Sequence, residues 1–307
     1  MNDPSSQPAT AGATQQDGIP RRVGLIAGGG QFPLLFSKTA RRRGLSLFTV
    51  AHRKESDPAL ADYADAIEWV HLGQVGRMLK FFKRHRVADA VMMGTIQKTR
   101  MFSDVRPDTR AIALFAAMAD NTHDDRVLSA FAALLEKEGI RVRPSTFLLP
   151  EMLAPAGCWT RRRPGKGEMN DVRFGWAVAK EIGRLDIGQC VVVAGGSVTA
   201  VEAIDGTDAT ILRGGRLAKG TAVAVKVCKP TQDMRFDVPA VGAQTIRSMQ
   251  EAGVRALAVE AGKAVVFDRR EMIELANRFK IAVVALKDPE DSPAAGRAGA
   301  VKKNRYR

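Results

Sequence analysis

The chain has 307 residues, 45% hydrophobic and 26% charged, enough apolar material for more than one core and an ordinary balance for a globular protein. No run reaches the roughly 18 apolar residues a membrane-spanning helix needs, and the Ser/Thr/Gln/Ala/Pro-rich opening lacks the basic start and apolar stretch of a signal peptide. The net charge of +14 calls for an anionic partner, whereas aromatics at 6%, none spaced along a basic stretch, argue against a base-stacking nucleic-acid platform.

Residues 1–20 read as a disordered tail. Residues 23–27 form a short buried-type strand running into Gly28-Gly29-Gly30 and a helical stretch over 32–43. Strand, glycine turn and helix make the phosphate-cradling start of a doubly wound domain. The glycines lack the full G-x-G-x-x-G spacing, and His52-Arg53 stand where a ribose binder carries an acid, so a nicotinamide dinucleotide is not the expected ligand. Residues 45–51 and 67–72 read as strands, 75–85 as a helix and 87–94 as a strand; helices at 109–118 and 126–138 precede extended structure at 139–142. This alternation predicts a Rossmann-like N-terminal domain over 21–150. Residues 151–168, rich in Pro and Gly and carrying Arg161-Arg162-Arg163, read as a linker.

A second α/β domain with a mixed sheet is predicted over 169–288. Its first helix, 171–184, places Phe174, Val178 and Ile182 on roughly one side. Strands follow at 189–194, 198–204, 221–227, 256–258, 263–267 and 281–286, with helices at 241–252 and 270–279. Residues 289–307 lose periodicity and form a basic tail. Three cysteines without a C-x-x-C pair fit a reducing cytoplasm. Four histidines without ligand spacing leave a divalent metal, if one is used, to carboxylate oxygens, which suit magnesium or, as second choice, manganese.

The most informative stretch is Lys229-Pro230-Thr231-Gln232-Asp233-Met234-Arg235-Phe236-Asp237-Val238-Pro239. It follows a β-branched strand, and its prolines stiffen the backbone so that the charges are presented in fixed places. Cations there suit phosphate oxygens while a carboxylate binds a metal or positions water; a solvated charged loop is the alternative reading. Upstream lies a second acidic group, Glu202, Asp205 and Asp208, for which Asx turns in a hairpin are the alternative. Gly28–Gly30, Gln31 and the Gly94-Thr95 pair fall at the carboxyl ends of predicted strands, where open α/β sheets hold ligands. His123-Asp124-Asp125 sits near a helix start, where carboxylates also serve as caps.

Four segments occur together in order: 24–30 (Gly-Leu-Ile-Ala-Gly-Gly-Gly), 181–189 (Glu-Ile-Gly-Arg-Leu-Asp-Ile-Gly-Gln), 201–209 (Val-Glu-Ala-Ile-Asp-Gly-Thr-Asp-Ala) and the Lys-Pro-x-Gln-x-x-Arg-x-Asp-x-Pro loop of 229–239. Together they resemble the LpxI-type UDP-2,3-diacylglucosamine pyrophosphatases of lipid A biosynthesis, from about residue 24 to 286. The resemblance implies two α/β domains joined by a linker with the lipid held between them, and hydrolysis of UDP-2,3-diacylglucosamine to lipid X and UMP with a divalent cation, typically magnesium. It implies water attack on the phosphorus attached to glucosamine.

Carried over residue by residue, the resemblance makes Asp237 the leading catalytic carboxylate and Asp233 a second candidate, with Asp237, Asp208 and Glu202 as metal ligands. Lys229 and Arg235 would hold pyrophosphate oxygens, and Gly29, Gly30, Gln31, Gly94 and Thr95 would meet the glucosamine or its phosphate. His123 departs from the small residue expected before the Asp pair. A lipid-linked nucleotide is the implied substrate, reached from the cytoplasm at the inner leaflet, to which Arg41-Arg42-Arg43, the 161–163 cluster and the basic tail would be attracted. Nucleic acid is not the expected partner, and the competing reading is a non-catalytic binder or sensor of a phosphorylated acyl sugar.

Overall fold

A computed structural model describes residues 19–96, 105–116 and 124–287; His123, both terminal tails and the side chains of Asp124 and Asp125 lie outside that description. The chain forms two compact units. The first takes the described residues up to Ala90 with Gly94–Ala111 and Lys137–Arg141; the second takes Val91–Met93, Ile112–Glu136 and the chain from Val142 onward.

The N-terminal strands are β1 (Arg22–Ala27), β2 (Ser46–His52), β3 (Ala66–Val70), β4 (Asp89–Met93) and β5 (Arg141–Arg143), laid out in the order β3-β2-β1-β4-β5. β1 pairs with β2, and β2 with β3, in parallel. Buried parallel strands have no solvent face, and β1 is accordingly buried from Val23 onward and β4 throughout. Helices α1 (Gln31–Arg42) and α2 (Val75–Arg84) turn Phe36 and Phe82, both fully buried, inward. Gly24 keeps β1 bare where a Cβ would lie 2.9 Å from Val87 and 3.0 Å from Phe82. Helices α3 (Thr109–Ala116) and α4 (Asp124–Lys137) follow the fourth strand.

The second sheet has the order β6-β13-β11-β9-β7-β8. It is built from β6 (Gly157–Cys158), β7 (Cys190–Ala194), β8 (Ser197–Val201), β9 (Val223–Lys226), β11 (Ala256–Glu260) and β13 (Ala282–Leu286). Its centre, β9-β11-β13, is parallel; β7 runs antiparallel to both β8 and β9, and β6 antiparallel to β13. Successive strand residues point to opposite faces. Val192, Ala224, Leu257 and Val283 therefore pack with Ile211 of α6 (Gly206–Leu217), Ile246 and Met249 of α7 (Ala243–Ala252) and Met272 of α8 (Arg269–Arg278). Their neighbours Val191, Val193, Val225 and Val284 pack on the other face with Met169, Val172, Trp176 and Ala179 of α5 (Lys166–Arg184). The hairpin between β7 and β8 turns through Gly195 (φ 56°) and Gly196 (φ 77°), and the buried Asp171 of α5 accepts both their N–H groups at 2.9 and 2.7 Å.

Two sequence expectations are corrected. Phe174 does not face the core: it is 42% exposed, and α5 buries Val172, Trp176 and Ala179 instead, because Gly175 and Ala179 let the helix sit close on Val193 and Val225. The Pro/Gly-rich stretch expected to be plain linker contains β6, which covers the edge of β13, with Trp159 N–H donating to Val283 O at 2.9 Å and Val283 N–H to Thr160 Oγ1 at 3.0 Å. A second short pair, β10 (Ala240–Val241) with β12 (Val265–Val266), lies directly after the 229–239 loop.

The two aromatic positions of α5 separate in stability. Trp176→Ala is expected to cost about 3–5 kcal/mol and Phe174→Ser less than about 0.5 kcal/mol, measured by urea unfolding; equal costs would return Phe174 to the core.

Candidate active site

The 229–239 loop follows the carboxyl end of β9, in the parallel centre of the second sheet, and such strand ends commonly bind ligands. The residue just before it is held through both of its backbone polar groups. Cys228 N–H donates to Glu260 Oε2 at 2.9 Å, and Cys228 O accepts from Lys180 Nζ at 2.8 Å. Lys180 Nζ also donates to Glu260 Oε2 at 2.6 Å, and Lys263 Nζ lies 2.9 Å from Glu260 Oε1. Burial pushes the Glu260 carboxyl up, but the hydrogen bonds from Lys180, Lys263 and the Cys228 amide outweigh it and leave the group below the usual range. The Cys228 thiol, pushed to about 11 by burial and by the Glu260 charge, stays protonated at neutral pH.

Within the loop, Lys229 Nζ donates to Asp186 Oδ1 at 2.7 Å and stands 3.9 Å from Asp237 Oδ2. Gln232 spans the turn, accepting from Lys229 N–H at 2.8 Å and donating Nε2–H to Asp237 Oδ2 at 2.6 Å. The loop thus presents one ammonium between two carboxylates, with Asp237 oriented by an amide. Asp186 reaches this position from a left-handed conformation (φ 57°) just beyond α5, a geometry Asp tolerates. Gly183 lets the end of α5 approach: a Cβ there would lie 3.2 Å from the Lys229 Cα and 3.3 Å from Pro230 Cδ.

Asp233 and Arg235 form a separate pair. Arg235 Nε lies 3.0 Å from both Asp233 oxygens and Nη2 lies 2.7 Å from Oδ2, while Nη1 donates to Glu136 Oε1 at 2.7 Å. The Arg235 fork holds the Asp233 carboxyl below its usual range, and Asp233 holds the guanidinium above its own. These two side chains brace the turn that carries Asp237, whose N–H donates to Asp233 O at 3.0 Å.

The upstream acidic group divides by role. Glu202 is 7% exposed and accepts from Thr207 Oγ1 at 2.6 Å and from Gln189 N–H at 3.1 Å. Thr207 Oγ1 in turn accepts from the buried Lys226 Nζ at 2.8 Å, and Lys226 donates also to Ala240 O at 2.9 Å. Asp205 accepts from Arg213 and from Ala203 N–H at the surface, and the Arg213 bond lowers its pKa. Asp208 lies half-buried in the first turn of α6. Among the described residues no three His, Cys, Asp or Glu side chains gather as a metal cage would require, so Glu202, Asp208 and Asp237 do not form one cluster.

In the first unit, Gly28–Gly30 and Gly94-Thr95 are brought together. Gly29 N–H donates to Thr95 O at 2.7 Å and Thr95 N–H to Gly29 O at 3.0 Å. A Cβ on Gly28 would lie 2.7 Å from Thr95 O, and one on Gly94 (φ 94°) 2.7 Å from Gly29 O, so two backbones cross at van der Waals contact. Gly30 (φ 86°) caps α1, and Gly30 and Gln31 are exposed at its N-terminus. His52 binds Ala27 O through Nδ1 at 2.9 Å, beside Ser56 Oγ at 2.7 Å from the same carbonyl. Burial lowers the His52 pKa, against the raising effect of the Ala27 bond.

Residues 22–152 match the LpxI N-terminal domain and residues 155–284 the LpxI C-terminal domain. The chain belongs to the LpxI family. A protein of Caulobacter vibrioides named UDP-2,3-diacylglucosamine pyrophosphatase LpxI is 32% identical over 283 residues, spanning 89% of this chain and 100% of that relative. Solved structures give weaker likenesses, which carry no argument. They include the biotin carboxylase domain of Hydrogenobacter thermophilus 2-oxoglutarate carboxylase, at 15% identity, 58% of this chain, 35% of that chain and TM-score 0.25. Leucoanthocyanidin reductase of Vitis vinifera with NADPH gives 16%, 48%, 41% and 0.26.

Sequence reasoning passed over Asp186, Gln232, Lys180 and Glu260. The first two lie inside family segments that the sequence already quotes, and Glu260 ends an otherwise apolar strand, Ala-Leu-Ala-Val-Glu, which is the signal that could have found it. Lys180 carries no such signal.

Two outcomes follow for the first unit. Gly94→Ala forces a Cβ into a carbonyl at a positive φ and is expected to cost about 2 kcal/mol or more in urea unfolding. The folded state disfavours His52 protonation while the unfolded chain takes the proton near its ordinary value of about 6.5. Stability is therefore full above that value and falls as pH drops through it until the lower folded pKa is reached. The melting temperature should fall between about pH 8 and pH 5.5, and less so in His52→Asn; an identical pH slope in the variant would remove His52 as the cause.

Proposed function

We propose that this protein hydrolyses the pyrophosphate of UDP-2,3-diacylglucosamine to lipid X and UMP in lipid A biosynthesis. Membership of the LpxI family and the name of the Caulobacter relative support the substrate class. The observation that carries the chemistry is the Asp186–Lys229–Asp237 arrangement, with Asp237 oriented by Gln232. Lys229 takes a pyrophosphate oxygen, offsetting the charge repulsion that opposes an incoming nucleophile. Asp237 accepts the proton of the attacking water as its oxygen bonds to the phosphorus on the glucosamine side. The bridging oxygen departs with UMP. Asp233 and Arg235 support this by fixing the turn. Arg235 moves from its carboxylates to the substrate only if the phosphates outcompete Asp233 and Glu136.

Magnesium, or manganese in its place, is the proposed cofactor. Magnesium is commonly held by one or two carboxylates together with substrate phosphate oxygens and waters rather than by a protein cage. Asp237, a hard oxygen donor, fits that use; Glu202 already serves two internal donors. When bound, the ion supplies charge neutralisation at the phosphates. Gly29, Gly30, Gln31, Gly94 and Thr95 are proposed to meet the sugar or its phosphate.

The substrate's acyl chains place the reaction at a membrane surface. No helix among the described residues is long and apolar enough to cross one, and we assign the approach to peripheral attraction from the cytoplasmic side. The exposed Arg41, Arg42 and Arg43 suit anionic lipid.

Purified protein with UDP-2,3-diacylglucosamine and magnesium should release UMP, and in ¹⁸O water the label should enter lipid X. Asp237→Ala should fold normally and lose activity by about 10²-fold or more. No UMP at any metal concentration would reject the reading, and label in UMP would move the attack to the other phosphorus.

A further inference from the structure

We infer that the 229–239 loop is set in its reactive geometry by two anchors, the Lys180–Glu260 ion pair and a buried Lys226–Thr207–Glu202 relay, making Lys180 and Glu260 positioning residues for Lys229 and Asp237. This rests on the proposed function only for the reaction it serves; the anchoring itself is a property of the fold.

The first anchor acts where the loop leaves the sheet. Glu260 is 4% exposed at the end of β11, and its Oε2 accepts both the Cys228 N–H and Lys180 Nζ. Lys180 returns to the same residue through Cys228 O at 2.8 Å. The two peptide planes that meet at Cys228 are thus both fixed by one ion pair, and the second of them, the Cys228–Lys229 peptide, leads directly into the loop. The second anchor acts where the loop returns. Lys226, 8% exposed, donates to Ala240 O at 2.9 Å and to Thr207 Oγ1 at 2.8 Å, and that hydroxyl in turn donates a hydrogen bond to Glu202. A hydroxyl has one donor and two acceptor positions, so this relay uses Thr207 without leaving either neighbour unsatisfied. Between these ends the loop has turns of its own, but its direction from the sheet is decided by the anchors.

Two features separate this role from generic core stabilisation. Buried ion pairs contribute little net stability compared with well-packed apolar residues, so stability alone does not call for one here. And the anchors grip the backbone at residues 228 and 240, where a small rotation is magnified at the charged groups the loop carries. Misplacing a reacting group by about 1 Å can cost about 10²-fold in rate.

The test pairs loop dynamics with kinetics in the full-length protein. In Glu260→Gln, hydrogen exchange of peptides covering 228–240 should speed up by about tenfold or more while β7 stays protected. In the same variant kcat should fall by about tenfold or more, with KM changing far less. The double variant Lys180→Met with Glu260→Leu removes both charges and should regain thermal stability without regaining loop protection or kcat; it also carries the test if the single variant fails to fold. Wild-type loop exchange in a folded variant, or recovery of kcat together with melting temperature in the double variant, would overturn the inference. Should the wild type release no UMP, the reaction is lost, and faster exchange confined to the loop would still uphold the anchors.

Discussion

A carboxylate buried at the end of a parallel strand must be paired, and the pairing of Glu260 organises the second unit around it. Desolvation of a charged group costs several kcal/mol unless donors replace the lost water. Here three donors do so: Lys180 from α5, Lys263 from the turn after β11, and the Cys228 amide after β9. Three separate parts of the chain are thereby brought to one point. The charged 229–239 loop starts from that point, so its position is inherited from the core.

The loop itself is balanced in charge although the chain is strongly basic. Lys229 lies near Asp186 and Asp237, and Arg235 near Asp233 and Glu136. Such pairing keeps two cations in place in the absence of an anion. Were an anion to enter among them, as in the proposed reaction, it would meet groups already ordered, and less side-chain entropy would be lost on binding. The net charge of +14 belongs elsewhere, on exposed arginines such as Arg41–Arg43, where it acts at longer range and is screened by salt.

In the first unit the glycines have a structural explanation beside the ligand reading. Gly28 and Gly94 are required where two backbones cross within a Cβ's reach, and Gly30 by its positive φ at the start of α1. The same crossing leaves the N-terminus of α1 exposed, and a helix N-terminus with its N–H groups presented favours an anion. Both readings of the glycine turn therefore follow from one geometry.

The sequence determined what depends on local pattern. Period-two and period-3.6 spacing placed most strands and helices within a few residues of where they lie, the strand–glycine–helix opening announced the doubly wound sheet, and the ordered segments carried the family. It also marked the 229–239 loop, because charges between prolines are a local arrangement. Only the tertiary structure decided which face of α5 is buried, since Phe174 and Trp176 are both aromatic and their fates turn on the close approach allowed by Gly175. Only it revealed β6, whose two residues have no period and exist because β13 has an edge to cover. It alone brought Lys180 to Glu260, 80 residues apart in sequence, and Asp186 to Lys229, 43 apart. Partners of that kind are chosen by burial and by the need to satisfy charge in a dry interior, and neither is written in the neighbouring residues.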